Sequence, residues 1–361
     1  MAVRPVHELN VEVKFFNYDG TLLDSLQLNY GDSIVYAKET PKRLSDYDYI
    51  YTFDGWDKEL SIARRDIAYT AKYKAEERKH AVFSVGYGKS VYFSTGNLQY
   101  NAGDGSTHAT ADGKTLQGTW RFADQQYEVI GSGNANISQT YDGWIDLFGW
   151  ATSGWYRESD LITEEYQPWT TSTEHLHYHI DGSYLNEMKG SYANADWGVY
   201  NAISNGGNEP NVWRVLTASE WMCLLRENKW TLGYVETGDD SYLCFLLFPS
   251  DYTELEGISV EFLEASSTFT SVTVTVPSGN RYKRDDFEKL EKQGVVALPC
   301  GGYRYEKTIN EVGNEGYYWS SAVNSRTCSF AFSFSESKVD GCDNLILREK
   351  GVSVRLVKDV K

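Results

Sequence analysis

The chain has 361 residues, a hydrophobic content of 41%, a charged content of 24% and a formal net charge of −17. The length favours two domains, and the ordinary composition favours a soluble globular protein. Because 51 acidic residues outnumber 34 basic ones, the charge opposes binding to a phosphate backbone, and we expect no nucleic-acid partner. No apolar run approaches the roughly 20 residues that a transmembrane helix needs, so we expect no membrane insertion.

The first residues and the cysteines set two further expectations. Residues 1–7 lack the apolar segment of a signal peptide, so none is predicted. The cysteines are odd in number and irregularly spaced, which argues against a disulfide scaffold. They are Cys223, Cys244, Cys300, Cys328 and Cys342.

Residues 10–74 have the pattern of a small β module. Val11, Val13 and Phe15 alternate with other residues, as in a strand with one buried face. The segment 17–21, Asn-Tyr-Asp-Gly-Thr, carries the Asp-Gly pair that is typical of a hairpin turn. Returning and later strands are predicted over 22–28, 49–53 and 67–73. Short strands with frequent turns indicate a compact all-β unit.

Several motifs of this module belong together. They are Val13-Lys14-Phe15-Phe16-Asn17-Tyr18-Asp19-Gly20-Thr21, Tyr30-Gly31, Pro41, Tyr51-Thr52-Phe53-Asp54-Gly55-Trp56-Asp57 and Ala71-Lys72-Tyr73. This set resembles the Listeria–Bacteroides repeat, the B-repeat type seen in bacterial surface proteins. The resemblance implies a β-grasp-like spacer or adhesion module without chemistry of its own. Trp56 is then expected to pack in the core rather than to form a binding spot.

A charged segment marks the boundary between two domains. Residues 74–80, Lys-Ala-Glu-Glu-Arg-Lys-His, are predicted to form a short, semi-rigid hinge. The predicted domains are 1–77, the small β module, and 78–361, a larger unit.

The larger unit combines short strands, long loops and two helices. Strand patterns stand at 83–85 and 91–93. Thr217 and Glu220 form a capping box, which predicts a helix running to about residue 228. A second helix is predicted over 283–292, with Gly294 as its C-cap. These elements indicate an α+β fold.

A series of different motifs lies along residues 83–357. They are Ser94-Thr95-Gly96-Asn97-Leu98-Gln99-Tyr100, Thr119-Trp120-Arg121-Phe122-Ala123, Tyr141-Asp142-Gly143-Trp144, Asp196-Trp197-Gly198, Trp213-Arg214-Val215-Leu216-Thr217, Leu298-Pro299-Cys300-Gly301-Gly302, Tyr318-Trp319-Ser320-Ser321 and Gly351-Val352-Ser353-Val354-Arg355-Leu356-Val357. They resemble the Fibrobacter succinogenes major paralogous domain. The resemblance implies a C-type-lectin-like fold in its formylglycine-generating-enzyme-like variant.

The same fold carries the variable proteins of diversity-generating retroelements. Their C-terminal segment, ending in a Ser-Val-Arg-Leu-like strand, is the diversified ligand-binding face. Mutagenesis of Asn codons at adenines cannot produce Lys or Glu. The resemblance therefore implies that four charged positions are scaffold. They are Glu336, Lys338, Glu349 and Lys350.

The strand 328–335 suggests how such a face is built. A two-residue period places Cys328, Phe330, Phe332 and Phe334 on one side, which must be buried. The small residues between them are then expected to face solvent or a partner. Together with neighbouring loops they make up the predicted ligand-binding face. Its residues are Asn324, Arg326, Ala331, Ser333, Ser335, Ser337, Asp340, Gly341, Cys342, Asp343, Asn344, Leu345 and Leu347.

Three other motifs have simpler explanations. Glu209-Pro210-Asn211 spells the sugar-binding triplet of calcium-dependent lectins, but so short a motif often arises by chance. His175, His177 and His179 would share one face of a strand and could ligate zinc, although solvent-facing histidines are commoner. Cys328 and Cys342 are the only candidates for the cysteine pair of a formylglycine-type oxidase. We expect no catalytic residues, metal or cofactor.

These observations predict a non-enzymatic display protein that binds a protein or glycan receptor on a cell surface. It would belong to a phage tail or a bacterial cell surface, be diversified by a retroelement, and be compatible with a homo-oligomer. One alternative is a bacterial surface or adhesion protein without diversification. A weaker alternative is a formylglycine-type oxidase.

Overall fold

The computed structural model of the protein describes residues 10–156, 166–238, 240–264 and 271–361. The fold is mostly β, with 40% strand and 13% helix arranged as several small sheets, and is of the α+β kind. The chain divides into two compact units, Met1–Arg78 and Lys79–Lys361. This division lies one residue beyond the domain boundary predicted at 77.

The first unit contains a four-stranded sheet. Its strands are β1 (Asn10–Phe16), β2 (Leu22–Asn29), β3 (Tyr49–Trp56) and β4 (Ile67–Glu77). They are ordered β2-β1-β4-β3, and β1 is antiparallel to β2 but parallel to β4. The predicted hairpin is confirmed, since residues 17–21 connect β1 to β2. Gly20 has φ 86°, a conformation that side-chain-bearing residues rarely adopt.

The inward face of β1 forms the centre of this unit's core. Val11, Val13 and Phe15 are 3%, 0% and 0% exposed, so the predicted alternation is confirmed. The ring of Trp56 lies 4.8 Å from that of Phe15 and packs against the core. The core therefore comes from residues whose spacing already marked them as inward-facing.

The charged hinge predicted over 74–80 is wrong for its first four residues. β4 continues to Glu77, which pairs with Tyr49 of β3. The ladder uses main-chain groups, and residues 74–77 are exposed. Charged side chains therefore cost little there, because they remain in water while the backbone hydrogen bonds form.

The second unit has seventeen strands and three α-helices among the described residues. The strands are β5 (Phe83–Gly86), β6 (Lys89–Phe93), β7 (Leu98–Asn101), β8 (Thr107–Ala109), β9 (Thr115–Gln117), β10 (Thr119–Phe122), β11 (Lys229–Thr237), β12 (Asp240–Phe248), β13 (Ser271–Thr273), β14 (Arg281–Lys283), β15 (Val296–Pro299), β16 (Tyr303–Tyr305), β17 (Thr308–Asn310), β18 (Glu315–Val323), β19 (Cys328–Ser335), β20 (Lys338–Leu347) and β21 (Val357–Asp359). The helices are α1 (Trp197–Tyr200), α2 (Ala218–Glu227) and α3 (Arg284–Lys292). Short 3-10 helices lie at Gly131–Asn136, His175–Tyr178, Ile180–Gly182 and Gly190–Ala195.

Two four-stranded sheets pack with α2 around one apolar core. The sheets are ordered β14-β11-β12-β15 and β13-β20-β19-β18. Phe332 of β19 stacks on Trp221 of α2, with ring centroids 4.8 Å apart, and meets Phe245 of β12 edge-on at 4.9 Å. Aromatic rings from three elements thus fix the position of β19.

Both predicted helices are present. α2 begins after Thr217, whose hydroxyl accepts from the Glu220 amide, while the Glu220 carboxylate accepts from the Thr217 amide. The predicted capping box is therefore confirmed. α3 ends just before Gly294, which has φ 89° and so permits the chain to turn away.

The resemblance implies a Ser-Val-Arg-Leu-like strand at residues 351–357, and this is wrong for all but the last residue. Val352, Val354, Arg355, Leu356 and Val357 are each 0% exposed, so the segment has no solvent-facing side. Only its last residue belongs to a strand, β21. The remainder is extended chain that makes isolated bridges to several elements. These bridges are Arg304↔Gly351, Phe148↔Val352 and Tyr318↔Ser353.

We predict that Thr217→Ala lowers the free energy of unfolding by about 1 kcal/mol, because the hydroxyl that caps α2 is lost. Ser219→Ala is the matched control, since Ser219 is exposed on the same helical turn and should change stability by less than about 0.5 kcal/mol. Urea denaturation of both variants measures the difference. Equal effects would contradict a stabilising role for the cap.

Candidate binding face

The predicted face lies on a meander formed by β18, β19 and β20. β18 pairs antiparallel with β19, and β19 pairs antiparallel with β20. The turn at 324–327 joins the first pair, and residues 336 and 337 join the second. The face therefore has two ends, which the eight residues of β19 separate by about 24 Å at the usual rise per strand residue.

The inward side of β19 agrees with the prediction over its second half. Phe332 and Phe334 are 0% and 3% exposed and belong to the apolar core. Phe330 and Cys328 are only half-buried. The phenylalanine row is therefore inward from residue 332 onward and partly open before it.

The predicted solvent-facing row of β19 is wrong at Ala331 and Ser333. Ser329, Ala331 and Ser333 are 0%, 1% and 6% exposed. The pairing of β19 with β20 shifts register twice within this stretch, and such bulges break the two-residue alternation. Trp319 pairs with Ala331 and is itself fully buried, so the second face of the strand is also covered. Ser335, beyond the bulges, is half-buried.

Asp340 and Gly341 are support positions instead of contact positions. Asp340 is 8% exposed, accepts the Cys342 amide at 3.0 Å and pairs with Lys338 at 3.1 Å. A Cβ on Gly341 would lie 2.9 Å from the Leu225 Cδ1 of α2. Gly341 therefore allows α2 to approach β20 closely, which removes both residues from the predicted face.

Most of the exposed residues of the predicted face lie around the turn at 324–327. The Asn324 side chain donates to the Asn344 carbonyl at 2.7 Å, which ties the turn to β20. Leu345 is 76% exposed. We call this set the rim: Asn324, Arg326, Asn344, Leu345 and Leu347. All but the half-buried Leu347 are exposed.

The other predicted residues either lie away from the rim or are partly buried. Ser337 is exposed at the opposite end of β19, next to Ser335. Cys342 and Asp343 are half-buried, and the Asp343 carboxylate accepts the Ser333 hydroxyl at 2.9 Å. Burial raises the pKa of the Cys342 thiol, so that group stays protonated at neutral pH. The predicted face thus separates into the rim, the half-buried Cys342 and Asp343 beside it, and the distant Ser335 and Ser337.

A loop whose histidines the sequence marked only as possible metal ligands lies against the rim. The His179 Nε2 lies 2.7 Å from the Arg326 carbonyl. The guanidinium of Arg348, which is fully buried, donates to the Tyr184 carbonyl at 2.9 Å and to the Ser325 carbonyl at 2.7 Å. Leu185, in the same loop, is 67% exposed. No sequence pattern connects residues 175–186 with the rim, so only the tertiary contacts show that the two segments lie together.

Burial changes the pKa of two side chains at the junction between residues 175–186 and the rim. It lowers the pKa of Arg348 to about 10, so the guanidinium remains charged at neutral pH. Burial also lowers the pKa of His179, against a smaller raising effect of its bond to Arg326. A neutral imidazole can still hold the Arg326 carbonyl through Nε2–H, and the junction is therefore insensitive to pH near neutrality.

The three histidines do not share a strand face. Residues His175–Tyr178 form a 3-10 helix, because the chain turns there instead of extending. The His177 Nδ1 lies 2.7 Å from the Ser172 hydroxyl, and the ring of His175 is 5.7 Å from that of His179. Within the described parts of the chain, no three His, Cys, Asp or Glu side chains are placed to hold a metal ion.

Of the four charged positions assigned to the scaffold, three contact a neighbouring side chain and the fourth, Glu349, is buried. The Glu336 carboxylate accepts the hydroxyl of Tyr234. Lys350 lies 3.9 Å from the centroid of the Tyr303 ring. Glu349 is 8% exposed, and burial raises its pKa. Lys338 makes the ion pair with Asp340 described above.

A cleft of about 880 Å³ lies beside the start of α2. Arg214 is its central cation, and it binds Glu220 at 2.8 Å and Asp359 at 2.6 Å. Both carboxylates and the guanidinium are thus already paired. These ion pairs stabilise the junction of α2 with the C-terminal strand.

No known protein family, no curated protein and no solved structure matches this chain. Among the described residues, no helix is both long enough and apolar enough to cross a membrane.

We predict that Gly341→Val destabilises the protein by about 1–3 kcal/mol, because the added side chain collides with Leu225 of α2. Leu345→Ser, on the rim, should change the free energy of unfolding by less than about 0.5 kcal/mol. Thermal denaturation of both variants is the measurement. A tolerated Gly341→Val would return that position to the variable face.

Proposed function

We propose that the second unit is a C-type-lectin-like domain that binds a protein or glycan receptor through the rim, without catalysis. The observation that carries this proposal is the contrast between the rim and its support. Asn324, Arg326, Asn344 and Leu345 are exposed. Residues 351–357, which follow them in the sequence, are buried throughout. Exposed loops on a rigid scaffold are the usual arrangement of a recognition surface.

The motifs that resemble the major paralogous domain support the scaffold half of this proposal. Trp120, Trp197, Trp213 and Trp319 are all 1% exposed or less. The Trp319 indole donates to the Phe148 carbonyl at 2.7 Å, and the Trp213 indole donates to the Gly206 carbonyl at 2.7 Å. These two motif tryptophans therefore hold loops in place, which supports the proposed scaffold.

The proposed setting is a phage tail or a bacterial cell surface, with diversification of the rim by a retroelement. The first unit would act as a spacer of the Listeria–Bacteroides repeat type. A bacterial adhesion protein without diversification remains the second candidate, since the same rim would serve a fixed receptor. A homo-oligomer is compatible with either setting.

A formylglycine-type oxidase is the least supported candidate. Cys328 pairs with Leu347, while Cys342 precedes Asp343, the partner of Ala331. This register places the two cysteines about four residues apart along the strands, or about 13 Å. Thiols at that separation cannot act on the same substrate atom.

The coding locus distinguishes the first two candidates. Diversification predicts a near-identical repeat of the segment encoding 324–347 and a reverse-transcriptase gene beside it. Mismatches should fall at adenines of the template and at rim codons, while codons for Glu336, Lys338, Glu349 and Lys350 stay unchanged. A locus without the repeat and the transcriptase would rule out diversification and leave the adhesion protein.

Binding capacity can be tested with two matched libraries displayed on yeast. One randomises the rim, and the other randomises Ser329, Ala331 and Ser333. We expect the rim library to keep surface expression within about twofold of the parent and to yield binders to a test protein. The buried library should lose expression at least tenfold, since polar or large residues there disrupt packing. Equal expression of both libraries, or no binders from the rim library, would contradict the proposal.

A further inference from the structure

The first unit carries an aromatic strip that its core does not use. Tyr49, Tyr51 and Phe53 alternate along β3, so they share one face of the sheet. Phe53 pairs with Tyr73 of β4, and their ring centroids are 6.0 Å apart. The strip is completed by Tyr18, from the β1–β2 turn, whose ring lies 5.7 Å from that of Tyr73.

The strip is open to solvent and fixed in place. Tyr18 and Tyr49 are 45% and 42% exposed, and the other three rings are half-buried. The Tyr73 hydroxyl donates to the Asn17 side chain at 2.7 Å, and the Tyr51 hydroxyl donates to Asp46 at 2.9 Å. These two hydrogen bonds hold the rings of Tyr73 and Tyr51 in place.

Arg43 lies between two rings of the strip. Its guanidinium carbon is 3.5 Å from the Tyr51 centroid and 4.4 Å from the Tyr18 centroid. Cation–π contact on two rings orients the planar guanidinium and limits its rotation. Arg43 is half-buried, so a ligand group that meets it is partly shielded from water.

The donors of Arg43 are not used within the described part of the chain. The guanidinium makes no hydrogen bond or ion pair there. Asp46, the nearby carboxylate, accepts instead from the Tyr49 amide at 2.8 Å, the Asp48 amide at 3.0 Å and the Tyr51 hydroxyl. An oriented guanidinium with open N–H groups is suited to a carboxylate, which it can bind through two parallel hydrogen bonds.

We propose that this strip binds a glycan chain bearing uronic-acid carboxylates. Arg43 holds one carboxylate, and the rings of Tyr49 and Tyr73, which Arg43 does not cover, contact the apolar faces of neighbouring sugars. Aromatic side chains with one or two placed polar groups are the usual lining of such sites. The site lies on the first unit and is independent of the rim and its proposed receptor.

An acidic peptide fits the strip less well than a glycan. An extended peptide binds most readily by adding a strand to a sheet edge, and β3 is an edge strand. That edge is already covered beside the strip. The Tyr49 carbonyl accepts the Asp46 amide at 3.1 Å, and the Tyr51 amide donates to the Ser45 hydroxyl at 3.4 Å. A glycan needs no such backbone pairing.

The test uses the full chain and three polymers: polygalacturonate, its methyl ester and poly-L-glutamate. The ester keeps the sugar backbone but removes the charge. We expect the chain to bind polygalacturonate in a calorimeter or by affinity electrophoresis, with affinity falling as salt rises. The methyl ester and poly-L-glutamate should bind at least tenfold more weakly.

Variants at Arg43 assign the binding to this strip. Arg43→Gln should weaken polygalacturonate binding about tenfold or more, because the charge-assisted hydrogen bonds are lost. Arg43→Lys should fall between it and the parent, since the charge stays but the planar fork does not. Arg64→Gln is the matched control, an exposed arginine of the same unit outside the strip, and should bind as the parent does. Circular dichroism melting verifies that each variant is folded.

Three results would overturn the proposal. Equal binding of the methyl ester would remove the carboxylate from recognition. Arg43-dependent binding of poly-L-glutamate, at least as tight as that of polygalacturonate, would make the ligand an acidic peptide. Polygalacturonate binding that is absent, or equal in the parent and a folded Arg43→Gln, would show that the strip is not a site for this ligand.

Discussion

The second unit depends on one buried length of extended backbone, residues 351–357. Its main chain bonds to five separate regions, one of them β18 through Ser353, rather than to one partner strand. The Gly351 amide donates to Arg304 at 2.8 Å, the Val352 amide to Phe148 at 3.0 Å, and the Val357 amide to Arg214 at 2.8 Å. In the other direction, the Val354 and Leu356 carbonyls accept from Leu98 and Ser94, each at 2.9 Å. Loops that are distant in sequence thereby share one rod-like support.

Arg355 shows how such a segment can be polar and still lie inside. Its guanidinium donates to Gln126 at 2.8 Å, to the Ala297 carbonyl at 3.1 Å and to Asn97 at 3.2 Å. Burial lowers the pKa of Arg355 to about 10, so the group stays charged at neutral pH. Neutral oxygens compensate for the lost water, because each accepts from a charged donor. Arg348 repeats this arrangement beneath the rim, where it bonds to the carbonyls of Tyr184 and Ser325.

Local signals in the sequence were sufficient to predict many helices, strands and turns. They were insufficient to predict which residues of those elements are buried. The capping box at Thr217 and the Asp-Gly turn at residues 19 and 20 act over a few residues, so both could be predicted from sequence. Whether Ala331 is exposed depends instead on two bulges and on Trp319, which comes from another strand. The sequence suggested that Gly341 is a variable loop residue, but the close approach of Leu225 leaves no room there for a side chain. The contact of His179 with Arg326 joins positions 147 residues apart, and no periodicity could reveal it. The rim is therefore smaller than the sequence suggested, and it gains a neighbouring loop.

The central claim is that a buried backbone segment supports an exposed rim, and amide hydrogen exchange tests it most directly. Exchange measured by mass spectrometry in the full chain should place residues 351–357 among the slowest in the second unit, with exchange only through global unfolding. The rim amides of Arg326, Asn344 and Leu345 should exchange orders of magnitude faster under the same conditions. Exchange of residues 351–357 as fast as that of the rim would contradict the account, because the segment would then open locally and could not act as the support.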